Sequence, residues 1–292
     1  MSPQTNPSDV FNSQVVIGLV DERLFANTTL LNSGYIGDAR NSASISPKGD
    51  KVTVVRSVPV EANNKVQTNP RTGTAVAADT VKFDSDDYDV ISKILAYDMD
   101  ERAMQIMANV ADPNQFMADE VVKLADAFIQ KHLIDAGVAG GIPYPEASGK
   151  ANWKGLRRAV TKAWGEKNQN STPLAIVHPD VMFDISTSEE ATKGGVFAGT
   201  SSIESGKVYS FAGMNFMQLE AIPKSGDVYS NLILLPNALM FFSDREMGYH
   251  EQRKAHTTTW QMDWDFAFAG FLTKAKPTGC IVYQAGSTID AE

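Results

Sequence analysis

The chain has 292 residues, 43% of them hydrophobic, enough to bury the cores of two compact units and too apolar for a disordered chain. Its 26 Lys and Arg against 35 Asp and Glu give a formal charge of -9, which disfavours binding to phosphate backbones, and a single cysteine, Cys280, excludes an internal disulfide. No stretch is long and apolar enough for a membrane-crossing helix, and the first residues lack the positive cluster and apolar run of a secretory signal, so a soluble chain folding in the cytoplasm is expected.

Residues 1–35 carry Pro3, Pro7 and many Asn, Ser and Thr around a modest apolar run at Val15 to Val20. They predict an N-terminal arm that needs another element, or another subunit, to lie on. Val52, Val54, Val58 and Val60 alternate and predict a strand over 51–60, with 80–83 as its return. Between them, residues 61–79 are polar, contain Asn69-Pro70 and Gly73, and far exceed the roughly two to five residues of a hairpin turn. A lid over a site and a two-stranded arm reaching a neighbouring molecule both suit such a segment; the lack of a nearby nucleophile or His weighs toward the arm. The acidic run Asp84, Asp86, Asp87 and Asp89 invites a calcium loop, but Tyr88 stands where a third ligand is needed and no glycine follows. It is read as a solvated strand start. A strand over 90–97 follows, and Asp98 or Asp100 caps a short helix running through Asn109.

The most strongly marked element is a helix from Asp112 to Gly137. Asp112 suits the N-cap, Pro113 the first helical position, and Gly137 a left-handed close. Met117, Val121, Leu124, Ala125, Phe128, Ile129 and Leu133 share one broad face, and Ile134 alone breaks the pattern. A helix of this length must lie across a sheet or along a neighbour.

Residues 140–149, with Pro143 and Pro145, read as a break where a second unit begins. Asn152 caps a helix whose Trp153, Leu156, Val160 and Trp164 fall three or four apart, with Gly165 as its stop and Lys154, Arg157 and Arg158 on a solvated side. Residues 174–177, LAIV, predict a buried strand leading through His178-Pro179 into an amphipathic turn over 181–185. The Gly-, Ser- and Thr-rich stretch 186–206 reads as a surface loop, and the ESGK ending at Lys207 fails as a phosphate loop because Ser201 replaces the early glycine and Val208 the hydroxyl. Strands follow at 214–219 and 231–235. Over 257–268 the alternation of Trp260, Met262, Trp264, Phe266 and Phe268 with Gln261, Asp263 and Asp265 predicts a long strand with one buried face. A last strand covers 280–283, with Cys280 as a packing residue.

The four histidines, His132, His178, His250 and His256, form no zinc spacing, and there is no nucleophile elbow, dinucleotide turn or differentiated carboxylate pair. Sequence therefore nominates no catalytic, cofactor-binding or metal-binding residue.

In their order, the arm, the long hairpin excursion, the capped helix, the α/β insert and the returning strands resemble the major capsid protein of tailed bacteriophages, with its Hong Kong 97-type coat fold. NWKGLRRAVTKAW followed by LAIVHPDV is similar to the helix and strand of the axial domain, and GFLTKAKPTGCIVY to the closing strands. The resemblance implies an α+β fold with an N-terminal arm (1–35), an extended loop (51–83), a peripheral domain (36–50, 84–148 and 245–292) with a spine helix at 113–136, and an axial domain (149–244). It implies no enzyme and no cofactor. Expected instead is a coat protein that forms pentamers and hexamers in an icosahedral shell around double-stranded DNA, without strong specific DNA binding or membrane contact. Implied partners are a scaffolding protein, a portal and, in some members, a decoration protein; the expected location is the virion, with assembly in the host cytoplasm. Because no cleavable scaffolding segment precedes the arm, a separate scaffold or prior processing is implied. Lys65 lies in the loop where some members carry a cross-linking lysine, but no partner residue is identifiable. An encapsulin-like compartment shares the fold and is the alternative; a soluble α/β enzyme with 61–79 as its lid is the third reading.

Overall fold

In chain order the elements are α1 (Pro7–Val10), α2 (Ser13–Asn27), a 3-10 turn (Leu31–Ser33), β1 (Gly37–Asp38), β2 (Ala43–Ile45), β3 (Lys51–Ser57), β4 (Phe83–Asp89), β5 (Ile91–Asp100), α3 (Glu101–Met107), α4 (Pro113–Gly140) and β6 (Ile142–Lys150). There follow α5 (Trp153–Trp164), β7 (Leu174–Val177), α6 (Pro179–Thr187), β8 (Ser210–Phe211), β9 (Met214–Gln218), β10 (Lys224–Ser225), β11 (Val228–Leu234), β12 (Leu239–Ser243), β13 (Gly248–Arg253), β14 (Thr259–Leu272) and β15 (Cys280–Gly286). The structure, a computed structural model, describes residues 7–40, 43–45, 51–57, 83–109, 111–164, 171–187, 210–211, 213–243, 248–255, 257–274 and 278–287. The loop segment 61–79, Lys65, the loop at 188–206, Lys207, Gly165 and His256 lie outside the described residues.

Three sheets carry the described residues, and α4 ties two of them together. In the five-stranded sheet β14 is central: β5 pairs antiparallel along one side from Thr259↔Asp100 to Phe268↔Ile91, while β13 and β12 pair antiparallel with it on the other. The alternation of β14 works as expected, with Met262, Trp264, Phe266 and Phe268 buried. Beyond Phe268 the opposite face is also covered, and Ala269 and Phe271 join Ala39, Val52 and Phe242 in a smaller core. The seven-stranded sheet runs β6-β15-β11-β7-β9-β8, with β10 on β11. Its inner strands, LAIV of β7 and Leu232 to Leu234 of β11, are continuous apolar runs because both faces are covered.

This topology moves some expected boundaries. Residues 280–286, expected to close the peripheral unit, pair between β11 and β6. Residues 239–243, expected in the axial unit, belong to the five-stranded sheet. Of the expected break at 140–149, residues 142–149 belong to β6, parallel to β15, and the two prolines are accommodated because β6 lies at the sheet edge.

The α4 helix starts as expected, the Asp112 carboxylate accepting the Gln115 N–H at 3.0 Å. It does not stop at Gly137. It continues to Gly140 for 28 residues, about 42 Å, and Gly141 leaves in an extended conformation (φ -77, ψ 160). Gly137 serves close approach rather than a turn: a Cβ there would stand 2.9 Å from Leu232 Cδ1. A Cβ at Gly141 would meet Val282 Cγ2 at 2.8 Å and the Gly137 carbonyl oxygen at 2.6 Å. The helix end is thereby seated on β11 and β15, while His132 and Leu133 lie against Gly270 of β14.

The buried face of α4 is also rotated from the expected one. Met117, Ala118, Val121, Val122, Ala125, Ile129, Leu133 and Ile134 are buried, whereas Leu124 and Phe128 are 39% and 43% exposed. The cause is α2, which covers one flank of α4. Val16, Val20 and Leu24, four apart on α2, are buried, the Asn12 side chain caps the helix, and Arg23 pairs with Asp119 at 2.6 Å. Contacts Asn12–Asn114, Arg23–Asp119 and Thr29–Asp126 advance together, so the two helices run parallel. Of the two supports the N-terminal residues were expected to need, residues 7–35 use an element of their own chain.

Candidate functional site

Three of the residues with chemical potential, His132, His178 and Cys280, are built into the scaffold. His132 Nε2 accepts the Gly270 N–H at 3.0 Å, its ring edge-on to Phe268, and burial lowers its pKa. His178 Nδ1 accepts the Asp180 N–H at 3.3 Å at the start of α6, its own N–H donates to Asn231 Oδ1 at 2.9 Å, and its ring stacks on Tyr229. His250 is exposed, with Nε2 3.6 Å from Asp265 Oδ2. Cys280 is buried, its Sγ 3.4 Å from the Gly137 carbonyl oxygen, and desolvation pushes its thiol up to about 12, which keeps it protonated and a poor nucleophile. These groups sit on different elements, and among the described residues no three His, Cys, Asp or Glu gather where a metal ion would be held.

A functional reading therefore rests on surfaces. The most distinctive is the three-stranded sheet β2-β3-β4. β3 and β4 pair without interruption from Lys51↔Asp89 to Ser57↔Phe83, so the chain leaves and returns at one place, with 58–82 between. The return strand includes 83–89; of the expected 80–83 only Phe83 lies among the described residues, and the acidic run belongs to this strand rather than to a solvated lead-in. Its tolerance for aspartates follows from the pleat and its partners. Asp86 faces inward and is buried but paired with Lys274 at 2.5 Å, while Asp87 faces outward and accepts from Thr53 Oγ1 at 2.7 Å.

The base of this hairpin is anchored, not tethered. Tyr88 stacks on Phe271 of β14 with ring centroids 4.0 Å apart and planes 13° apart, and its hydroxyl donates to the Leu272 carbonyl at 3.4 Å. Val52, opposite Tyr88 in the pair, is fully buried in the small core. This anchor fixes the orientation of the paired strands β3 and β4 relative to the five-stranded sheet.

Other surfaces expose apolar side chains. On α4, Phe116, Leu124 and Phe128 are 45%, 39% and 43% exposed; on β5, Ile94 is 65% exposed. Sequence reasoning placed Leu124 and Phe128 in the core. The available signal was the breadth of the apolar set, seven positions on a helix with only about 100° to bury against one sheet.

No family model and no curated protein matches the sequence. The solved structures do match. A structure from Mycobacterium phage Che8 superposes with a TM-score of 0.58 at 16% identity, covering 88% of this chain and 91% of that one. The capsid of cyanophage P-SCSP1u gives 0.60 at 12% identity, with 89% of each chain covered. The SrpI encapsulin of Synechococcus elongatus PCC 7942 gives 0.55 at 12% identity, covering 71% of this chain and 79% of that one. The chain has the Hong Kong 97-type coat fold, in an α+β architecture.

Proposed function

We propose that this chain is a major capsid protein, a structural coat subunit that self-assembles into the icosahedral head shell enclosing the double-stranded DNA of a tailed bacteriophage. The observation that carries the reading is the likeness to phage coat structures over nearly the whole length of both chains, which leaves little of either for a different task. The anchored hairpin and the acidic net charge agree with it: a coat subunit needs projecting elements to hold its neighbours, and a shell packed with DNA gains from not binding it tightly.

In this reading the protein is not an enzyme. The five-stranded sheet with α2, α3 and α4 forms the peripheral unit, the seven-stranded sheet with α5 and α6 the axial unit, and residues 51–83 the extended loop. Its partners are copies of itself in pentamers and hexamers, with a scaffolding protein and a portal as accessory partners and, as in some coat proteins of this kind, a decoration protein. It resides in the virion after assembly in the host cytoplasm.

An encapsulin-like compartment is the second reading, favoured by the SrpI likeness and weighed below the first by its smaller coverage. Electron microscopy of purified particles, together with assay of their contents, separates the two. DNA-filled heads with a unique tail vertex support the capsid reading, protein-filled shells the compartment, and a dispersed protein with no particles contradicts both.

A further inference from the structure

Charge is distributed unevenly along this acidic chain. From Ala147 to Gly165 there are five cations, Lys150, Lys154, Arg157, Arg158 and Lys162, and no carboxylate, leaving 21 of the 26 cations against 35 carboxylates for the remainder. The structure gathers four of the five on α5. Trp153, Leu156, Ala159, Val160 and Ala163 are buried, while Lys154, Arg157, Arg158 and Lys162 are exposed on the opposite side, over about 12 Å of helix. Arg157 and Arg158 have no carboxylate partner among the described residues, and Lys162 Nζ lies 4.7 Å from the centre of the Tyr144 ring. Exposed arginines left unpaired in a chain with surplus carboxylates are available to an anionic partner.

The same chain carries a surface of opposite sign. On the outer face of the five-stranded sheet, Asp98 and Asp100 of β5, opposite Gln261 and Thr259, share a side with Asp263 and Asp265 of β14, and the exposed Ile94 pairs with Asp265. Lys254 answers Asp98 and His250 approaches Asp265, while Asp263 bonds only the Gln261 amide among the described residues. A cationic helix on one unit and an anionic sheet face on another unit of the same chain are complementary between copies. They suit a head-to-tail contact, the kind that closes rings. Nucleic acid is the weaker candidate, because a net charge of -9 repels it at long range and four cations release few counterions.

We propose that the basic side of α5 is a contact between copies of this chain, docking on the carboxylate-bearing outer face of a neighbour's five-stranded sheet. This rests on the shell reading above. The test uses particles assembled from a mixture of light- and heavy-isotope chains, treated with a zero-length carbodiimide cross-linker. Mixed-isotope links from Lys154 or Lys162 to Asp98, Asp100, Asp263 or Asp265 are expected. Links from these lysines to any other surface of the neighbour, or none, overturn the assignment. In parallel, the variant Lys154→Glu, Arg157→Glu, Arg158→Glu, Lys162→Glu should melt like the parent yet lose shell formation, and Asp98→Lys with Asp263→Lys should restore part of it. A reversed chain that assembles normally overturns the contact while leaving the shell reading intact; a parent chain that never forms particles overturns the shell reading first. Lysines shielded from acetylation only until nuclease treatment would mark nucleic acid as the partner and overturn it too.

Discussion

Tyr88 and Phe271 stack at 4.0 Å, joining β4, the return strand of the β3–β4 pair, to the central strand of the five-stranded sheet. The pair is what makes the hairpin a part of the body. Tyr88→Ala should cost about 2 kcal/mol, less than a fully buried aromatic because the ring is only partly covered. The diagnostic readout is hydrogen exchange: amides of Lys51–Ser57 should exchange faster while those of β11 and β15 keep their protection. Uniform loss across the molecule would mean that the hairpin is not a separable unit.

Two glycine substitutions should act in opposite directions. At Gly141 a Cβ meets a backbone oxygen at 2.6 Å and Val282 at 2.8 Å, so Gly141→Ala should destabilise by roughly 1–3 kcal/mol through overpacking where α4 meets the second sheet. At Gly18, within α2, nothing lies within 4 Å, and Gly18→Ala should stabilise by up to about 1 kcal/mol. Chemical denaturation of both variants checks the pair; equal effects would contradict the described seat of the helix end.

Trp264 is fully buried, and Asp263 beside it faces outward. Trp264→Asp places an unpaired carboxylate in the core and should abolish cooperative folding, since several kcal/mol is a large part of a domain's stability of about 5–15 kcal/mol. Trp264→Phe should be far milder, because the indole N–H has no hydrogen-bond partner among the described residues to lose. Asp263→Asn should melt within about 0.5 kcal/mol of the parent. A soluble, cooperatively melting Trp264→Asp chain would place this strand elsewhere.

His132 makes stability depend on acid. Burial lowers its pKa below the ordinary 6.5, and its neutral Nε2 is the acceptor for Gly270. Above pH 6.5 both folded and unfolded chains hold a neutral imidazole; as pH falls below it, the unfolded chain takes the proton first, so stability declines until the folded-state pKa is reached. His132→Gln should flatten that part of the profile in pH-dependent melting, and an unchanged slope would assign the acid sensitivity to other groups.

What the sequence disclosed and what it withheld differ for physical reasons. The start of α4, the caps at Asn152 and Asp100 and the alternation of β14 are local, fixed by residues a few positions apart, and were legible. The end of α4 was not, because a glycine that ends a helix and a glycine that admits a neighbouring side chain look the same in one dimension. The acidic run reads as a solvated strand start because the partner that stabilises Asp86, Lys274, lies far along the chain. Leu124 and Phe128 were assigned to the core because the sequence does not reveal that α2 takes one flank of the helix. The candidate site was least legible of all: in the shell reading, contacts between copies are spread over surfaces whose residues acquire meaning only when a second copy is present.

The central claim is that the hairpin on β3 and β4 holds neighbouring subunits rather than covering a site of its own. Replacing residues 61–79 by a two-residue Asn-Gly turn should leave β3 and β4 able to pair and the subunit folded. Each lost contact is weak but is repeated around every subunit, so assembly should fail steeply. The deciding measurement is sedimentation velocity of the shortened chain beside the parent, with thermal melting to establish that both are folded. The account predicts a normal melt with no large particles. Shells of ordinary size and stability from the shortened chain would contradict it.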